Sequence, residues 1–135
     1  MLAGADPFAD IQASREQLRL RVEQGLRNSE LRLRRRYLSI FDDTPALAAT
    51  LADVAASLKI DFAAMLQLVH QDMPSEATSA AVLQAAAAAF ELDREALARV
   101  AALRRDADPE GDLPALYNRT LATIARAAEI VSMME

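Results

Sequence analysis

The sequence predicts an all-α fold: a single-domain helical bundle of about six helices, with a long N-terminal helix and two helix-turn-helix hairpins. Composition is the first reason. Alanine supplies 30 of the 135 residues and leucine 19, both strong helix formers, while β-branched residues are few and only three glycines occur. Patterning is the second reason. Apolar residues recur with a helical period in segment after segment, each opened by a capping residue, and no alternation of period two persists long enough for a strand. Length is the third. A chain of 135 residues suits one core, and the loop-like stretch 106–112 is too short for a domain linker.

The first helix is expected over 6–41. Asp6-Pro7 places a cap before a proline at the first helical position. Wound at about 100° per residue, Phe8, Ile11, Leu18, Val22, Leu26, Leu33, Tyr37 and Ile40 share an arc of roughly 100°. The phase survives Gly25, which predicts one long helix and not two. Glu23 with Arg27, and Glu30 with Arg34, are favourable i,i+4 pairs.

Residues 44–105 read as the two hairpins. Thr44-Pro45 starts a helix running to Leu58, and Asp61 caps its partner over 62–72. After the break at Met73-Pro74, Ser75 caps a helix to Phe90, and Asp93 caps another over 94–105. Pro114 opens the last helix, 114–134, whose stripe is Tyr117, Leu121, Ile124, Ala128 and Val131. A shift of 32 residues superposes Leu51, Ala55, Ala56, Asp61 and Ala64 on Leu83, Ala87, Ala88, Asp93 and Ala96. The match reads either as an internal repeat or as two hairpins obeying the same capping rules.

Several function classes are excluded or disfavoured. The absence of cysteine removes a disulfide scaffold, a Cys zinc site and a Cys nucleophile. No run of about 18 apolar residues suggests a membrane span. Met1 to Asp6 has neither the basic nor the apolar part of a secretory signal, so a cytoplasmic protein is expected. Fourteen arginines against the single Lys59 read as the codon usage of a GC-rich bacterial genome. Enzyme chemistry has little to stand on. His70 is the single histidine, and there is no glycine-rich phosphate loop, Glu-x-x-His metal motif or nucleophile–His–acid grouping. No catalytic, cofactor or metal residues are expected. The loop Asp106-x-Asp108-x-Glu110-Gly111-Asp112 matches half of a calcium loop, but Tyr117 stands where the bidentate glutamate belongs. Asp112 there suits the positive end of the last helix.

Residues 51–71 resemble the helix-turn-helix of the Lac repressor family. Asp53-Val54-Ala55 match the core of its first helix, Ile60 matches the apolar residue after the turn, and Met65, Leu68 and Val69 take the inward positions of the second. The resemblance implies a DNA-binding regulator reading bases through residues 62–70. Lys59 replaces the turn glycine, and only Gln67 and His70 offer base-reading side chains on an otherwise apolar helix, the pattern of a buried helix.

Charge points to the first helix as a binding surface. Residues 1–37 carry eight basic and five acidic groups, +3, while 38–135 carry seven and fifteen, −8. Arg21, Arg32, Arg35 and Arg36 share an arc of roughly 100° beside the apolar stripe. They form either an anion-binding face or a solvated one. The overall charge of −5 and the lack of an aromatic residue in that arc argue against a nucleic-acid partner. A helix over 7–41 would span about 50 Å, longer than a compact domain of this size covers, with a radius of gyration of about 14 Å. The stripe of Leu18, Val22, Leu26, Leu33 and Tyr37 is therefore expected to overhang and to bind a protein partner or a second copy. The expected function is a small non-catalytic interaction module or adaptor, homo-oligomeric, with no cofactor, membrane or small-molecule substrate. The alternative is a helix-turn-helix transcriptional regulator using residues 51–71.

Overall fold

The computed structural model describes residues 7–103 and 111–134, with side chains from Ser14 onward. The described residues form five helices and no strand: α1 (Pro7–Ile40), α2 (Thr44–Leu68), α3 (Ser79–Phe90), α4 (Arg94–Ala102) and α5 (Leu113–Ser132). The cap expected at Asp93 forms: its backbone is extended and it accepts the Ala96 N–H at 3.1 Å. Asp112, expected only to favour the positive end of a helix opened by Pro114, is itself the cap of α5, accepting the Ala115 N–H at 3.1 Å, so that helix starts at Leu113.

Other boundaries differ from the sequence reading. Asp43, not Thr44, caps α2, its carboxylate accepting the Ala46 N–H at 3.1 Å. Thr78, not Ser75, caps α3 in the same way. The larger correction is at Asp61. It caps nothing, because the two helices expected over 44–58 and 62–72 are one helix of 25 residues. Neither proline nor glycine interrupts Leu58 to Phe62, and the buried stripe Leu47, Leu51, Val54, Leu58, Phe62 and Met65 keeps a single phase through the expected turn. The first hairpin is thus absent. The 32-residue match aligns a continuous helix with a true α3–α4 corner, where Glu91 is left-handed (φ 54°). The turn required by the Lac repressor resemblance is not formed.

Helices α2 and α5 both run antiparallel to α1. Arg36 meets Thr50, Gly25 meets Asp61 and Arg15 meets Leu68 along α2. Along α5, the Tyr117 hydroxyl donates to the Leu33 carbonyl at 2.7 Å and Arg19 to the Val131 carbonyl at 3.2 Å. Helices α3 and α4 close the far side of α2, and α4 also packs on α5.

This arrangement overturns the expected overhang for the described side chains. Val22, Leu26 and Leu33 are at most 2% exposed, Ile40 is buried, and Leu18 and Tyr37 pack half-buried against the core. The physical reason is the length of α2. At about 1.5 Å per residue its 25 residues extend for about 38 Å beside α1; split in two, it would have covered far less. Phe8 and Ile11 lie outside the described side chains.

Arg15 and Arg19, which interrupt the apolar stripe, also find partners in this chain. They donate to the Leu68 and Val131 carbonyls in the last turns of α2 and α5; the Val131 carbonyl also accepts the Met134 N–H at 3.1 Å. Arg19 in addition pairs with Glu16 and Glu23 of its own helix. A guanidinium placed there also meets the negative end of the helix dipole.

Candidate functional site

With the inner stripe of α1 consumed by the core, the outer side of α1 is what another molecule can reach. Three leucines face outward there: Leu20 (50% exposed), Leu31 (47%) and Leu38 (79%). At about 100° per residue they fall within an arc of about 20°, and the row spans about 27 Å. Phe41, just past the helix end, adds a fourth large apolar group at 54% exposure, its ring tilted against Tyr37 at 6.3 Å. Tyr37 in turn packs on Tyr117 at 5.0 Å, so the exposed aromatic end rests on the core.

The four arginines singled out by sequence flank this row and differ in their engagement. Arg36 donates to the Thr50 hydroxyl at 2.9 Å, which ties it to α2. Arg21 lies near enough to Asp61 to favour its ionised form. Arg32 and Arg35 are exposed and make no hydrogen bond or ion pair among the described residues. They border a shallow depression of about 580 Å³ with Asn28, Leu31 and Ser39. On the opposite flank, Arg27 and Arg34 share Glu30, at 3.5 and 3.0 Å. The two flanks therefore differ in space: on one, two arginines share a carboxylate, and on the other Arg32 and Arg35 have no ion-pair partner among the described residues.

Of the sequence-predicted partner residues, the structure places Val22, Leu26 and Leu33 in the core and Leu18 and Tyr37 at its edge. Arg21, Arg32, Arg35 and Arg36 stand on the surface. Leu20, Leu31, Leu38 and Phe41 were missed. The signal was present as a second, narrower leucine row on the helical wheel, masked by the longer inner stripe.

The segment 62–70 divides by face. Phe62, Met65, Leu66 and Leu68 are buried, whereas Gln67 and His70 are exposed. His70 is left-handed (φ 60°), in the turn that leaves α2.

Asp61 is the one described carboxylate held clearly above its ordinary range. Burial against α1 pushes it up to about 6, opposed by Arg21. It sits where α1 has glycine: a Cβ at Gly25 would lie 2.9 Å from Asp61 Oδ1. By contrast, Asp93 is held below the usual carboxylate range by two hydrogen bonds from Arg119, at 2.9 and 2.7 Å.

Among the described residues no group of three His, Asp or Glu side chains could hold a metal ion, and no helix is long and apolar enough to cross a membrane. The half-calcium loop 106–112 lies outside the described residues except for Gly111 and the cap Asp112. Compared with protein-family models, curated proteins and solved structures, the chain matches none.

Proposed function

We propose that the chain is a small non-catalytic helical interaction module whose outer α1 face seats an acidic, apolar-faced helix of a partner protein. The supporting observation is the exposed row of Leu31, Leu38 and Phe41 beside Arg32 and Arg35, two cations without a partner among the described residues. Apolar anchors flanked by unneutralised guanidinium groups suit a helix with leucines on one face and carboxylates along its edge. Symmetric self-pairing is the weaker form of this reading. A two-fold contact sets the same patch against itself, and here that brings arginine rows together. The helix-turn-helix alternative has lost its two-helix geometry. The proposal keeps the protein in a bacterial cytoplasm, following the sequence reading.

The test is a photo-crosslinking amino acid at Leu38, with one at the exposed Ala122 of α5 as control, in cells of the source organism. A discrete adduct at position 38, absent from the control and lost with Arg32→Glu and Arg35→Glu, supports the proposal. A crosslink to a second copy, with a dimeric mass by light scattering, assigns the face to self-association. A gel shift with DNA abolished by the same charge reversals would replace the protein partner with nucleic acid. No adduct at position 38 in any growth condition refutes it.

A further inference from the structure

The outer face of α1 has a finer feature on its flank toward α2. Asn28, Arg32 and Ser39 follow one line along the helix, within an arc of about 40°. Arg35 and Arg36 stand to either side of that line, at a height between Arg32 and Ser39. The shallow depression of about 580 Å³ that these residues share with Leu31 is therefore bordered by guanidinium groups on three sides.

The donors around the depression are uncommitted or only partly committed. Arg32 and Arg35 make no hydrogen bond or ion pair among the described residues. Arg36 is tied to α2 through Nε, which donates to the Thr50 hydroxyl at 2.9 Å; its two terminal nitrogens are further donors. Asn28 is exposed, and the Ser39 hydroxyl donates to the Arg36 carbonyl at 2.9 Å. Among the described residues no carboxylate borders the depression. Asp53 lies across Arg32 and Arg36, in the cleft toward α2.

We propose that this depression receives a phosphorylated serine or threonine on the flank of the partner helix seated on Leu31 and Leu38, an inference that rests on that seating. Charge and donor number select the group. A carboxylate brings one charge and two oxygens, which a single guanidinium can engage bidentately. A phosphorylated side chain brings a charge of about −1.5 to −2 at neutral pH and three strong acceptor oxygens. That matches two unpaired cations and a third held in place by Thr50. A free small molecule would lack enclosure, because ligand pockets usually bury most of the ligand's surface, whereas a group carried by a docked helix needs none. A nucleic-acid backbone would need a longer track of cations. Outside the depression, Arg21 faces Asp61, and Arg27 and Arg34 share Glu30.

The test uses a fluorescent peptide of about four helical turns with leucines on one face and carboxylates along its edge. One flank position is serine, aspartate or phosphoserine. Anisotropy at about 0.15 M salt gives the affinity of each form for the full chain, and the arginine Nε–H resonances report which side chains respond. The phosphoserine form is expected to bind about tenfold tighter than the serine form and about fivefold tighter than the aspartate form, with shifts at Arg32 and Arg35. Arg32→Glu and Arg35→Glu, both at exposed positions, should each abolish the phosphoserine advantage while the helical spectrum is unchanged. Arg126→Glu, on the exposed side of α5, should leave it intact. Equal affinity of the phosphoserine and aspartate forms overturns this proposal and leaves the acidic-helix reading standing. A phosphoserine advantage that survives both charge reversals overturns it too, as does displacement of the phosphoserine form by a DNA oligonucleotide at equal concentration. If no form binds by about 1 mM, the phosphoryl site is refuted, and the crosslink at Leu38 decides the module reading separately.

Discussion

Asp61 is a carboxylate that the fold tolerates rather than uses, and removing its charge should stabilise the protein. Its side chain is half-buried against α1 at Gly25 and accepts no hydrogen bond there; Arg21 is the cation near it. Burial raises its pKa from 3.8 to about 6. The folded chain thus binds more protons than the unfolded chain between about pH 4 and 6. The contribution of this group to stability is complete below its unfolded value and falls as pH rises through about 6. At 1.36 kcal/mol per pH unit the full effect would be about 3 kcal/mol. The side chain keeps one side open to water, and screening there reduces the figure to about 1 kcal/mol. Asp61→Asn keeps the shape of the protonated acid, so above about pH 7 it should be more stable than wild type by about 1 kcal/mol. Near pH 4.5 the advantage should narrow to about a third of that. Urea denaturation of both proteins across this range measures the difference, from which the other carboxylates cancel. A destabilised Asn variant at neutral pH, or a difference that does not change with pH, would refute the reasoning.

Gly25→Ala should be close to neutral in the wild type, where a gain of about 1 kcal/mol in helix propensity meets the contact with Asp61; with Asp61→Ala it should stabilise by about that amount. A double-mutant cycle of denaturation midpoints checks this coupling, and additive effects would contradict it. Asp93→Ala should cost about 1–2 kcal/mol, because it removes the α4 cap together with the partly exposed Arg119 bridge. The low pKa of Asp93 gives the opposite sign to Asp61: this stabilisation is present above its unfolded value and is lost as pH falls, so the cost measured by thermal melting should shrink in acid. Met65→Asp should prevent folding, because it buries an unpaired charge, while Gln67→Ala on the exposed side of the same turn should melt within a few degrees of wild type by circular dichroism.

The sequence by itself determined the helical class, the unity of α1, and the start of α4 and α5. These depend on interactions within a few residues: alanine and leucine propensity, a stripe that keeps its phase through Gly25, the cap at Asp93, and Pro114 with the charge of Asp112 at the start of α5. Asp61 offered the same local signal and failed, because a capping residue and a residue inside a helix look alike until the neighbouring helix is known. Here α1 brings Gly25 against it, and continuing the helix buries Phe62, Met65 and Leu66 on the stripe begun by Leu51 and Leu58. The same criterion of phase that unified α1 would have unified α2. Tertiary structure alone decided which apolar row of α1 is available to a partner. Both rows are legible in the sequence, but only the antiparallel packing of α2 and α5 assigns the inner one to the core and leaves Leu31 and Leu38 outside. It also turned Arg15 and Arg19 from interruptions of the stripe into partners for the carbonyl ends of α2 and α5, contacts made between residues far apart in the chain and therefore invisible to any local pattern.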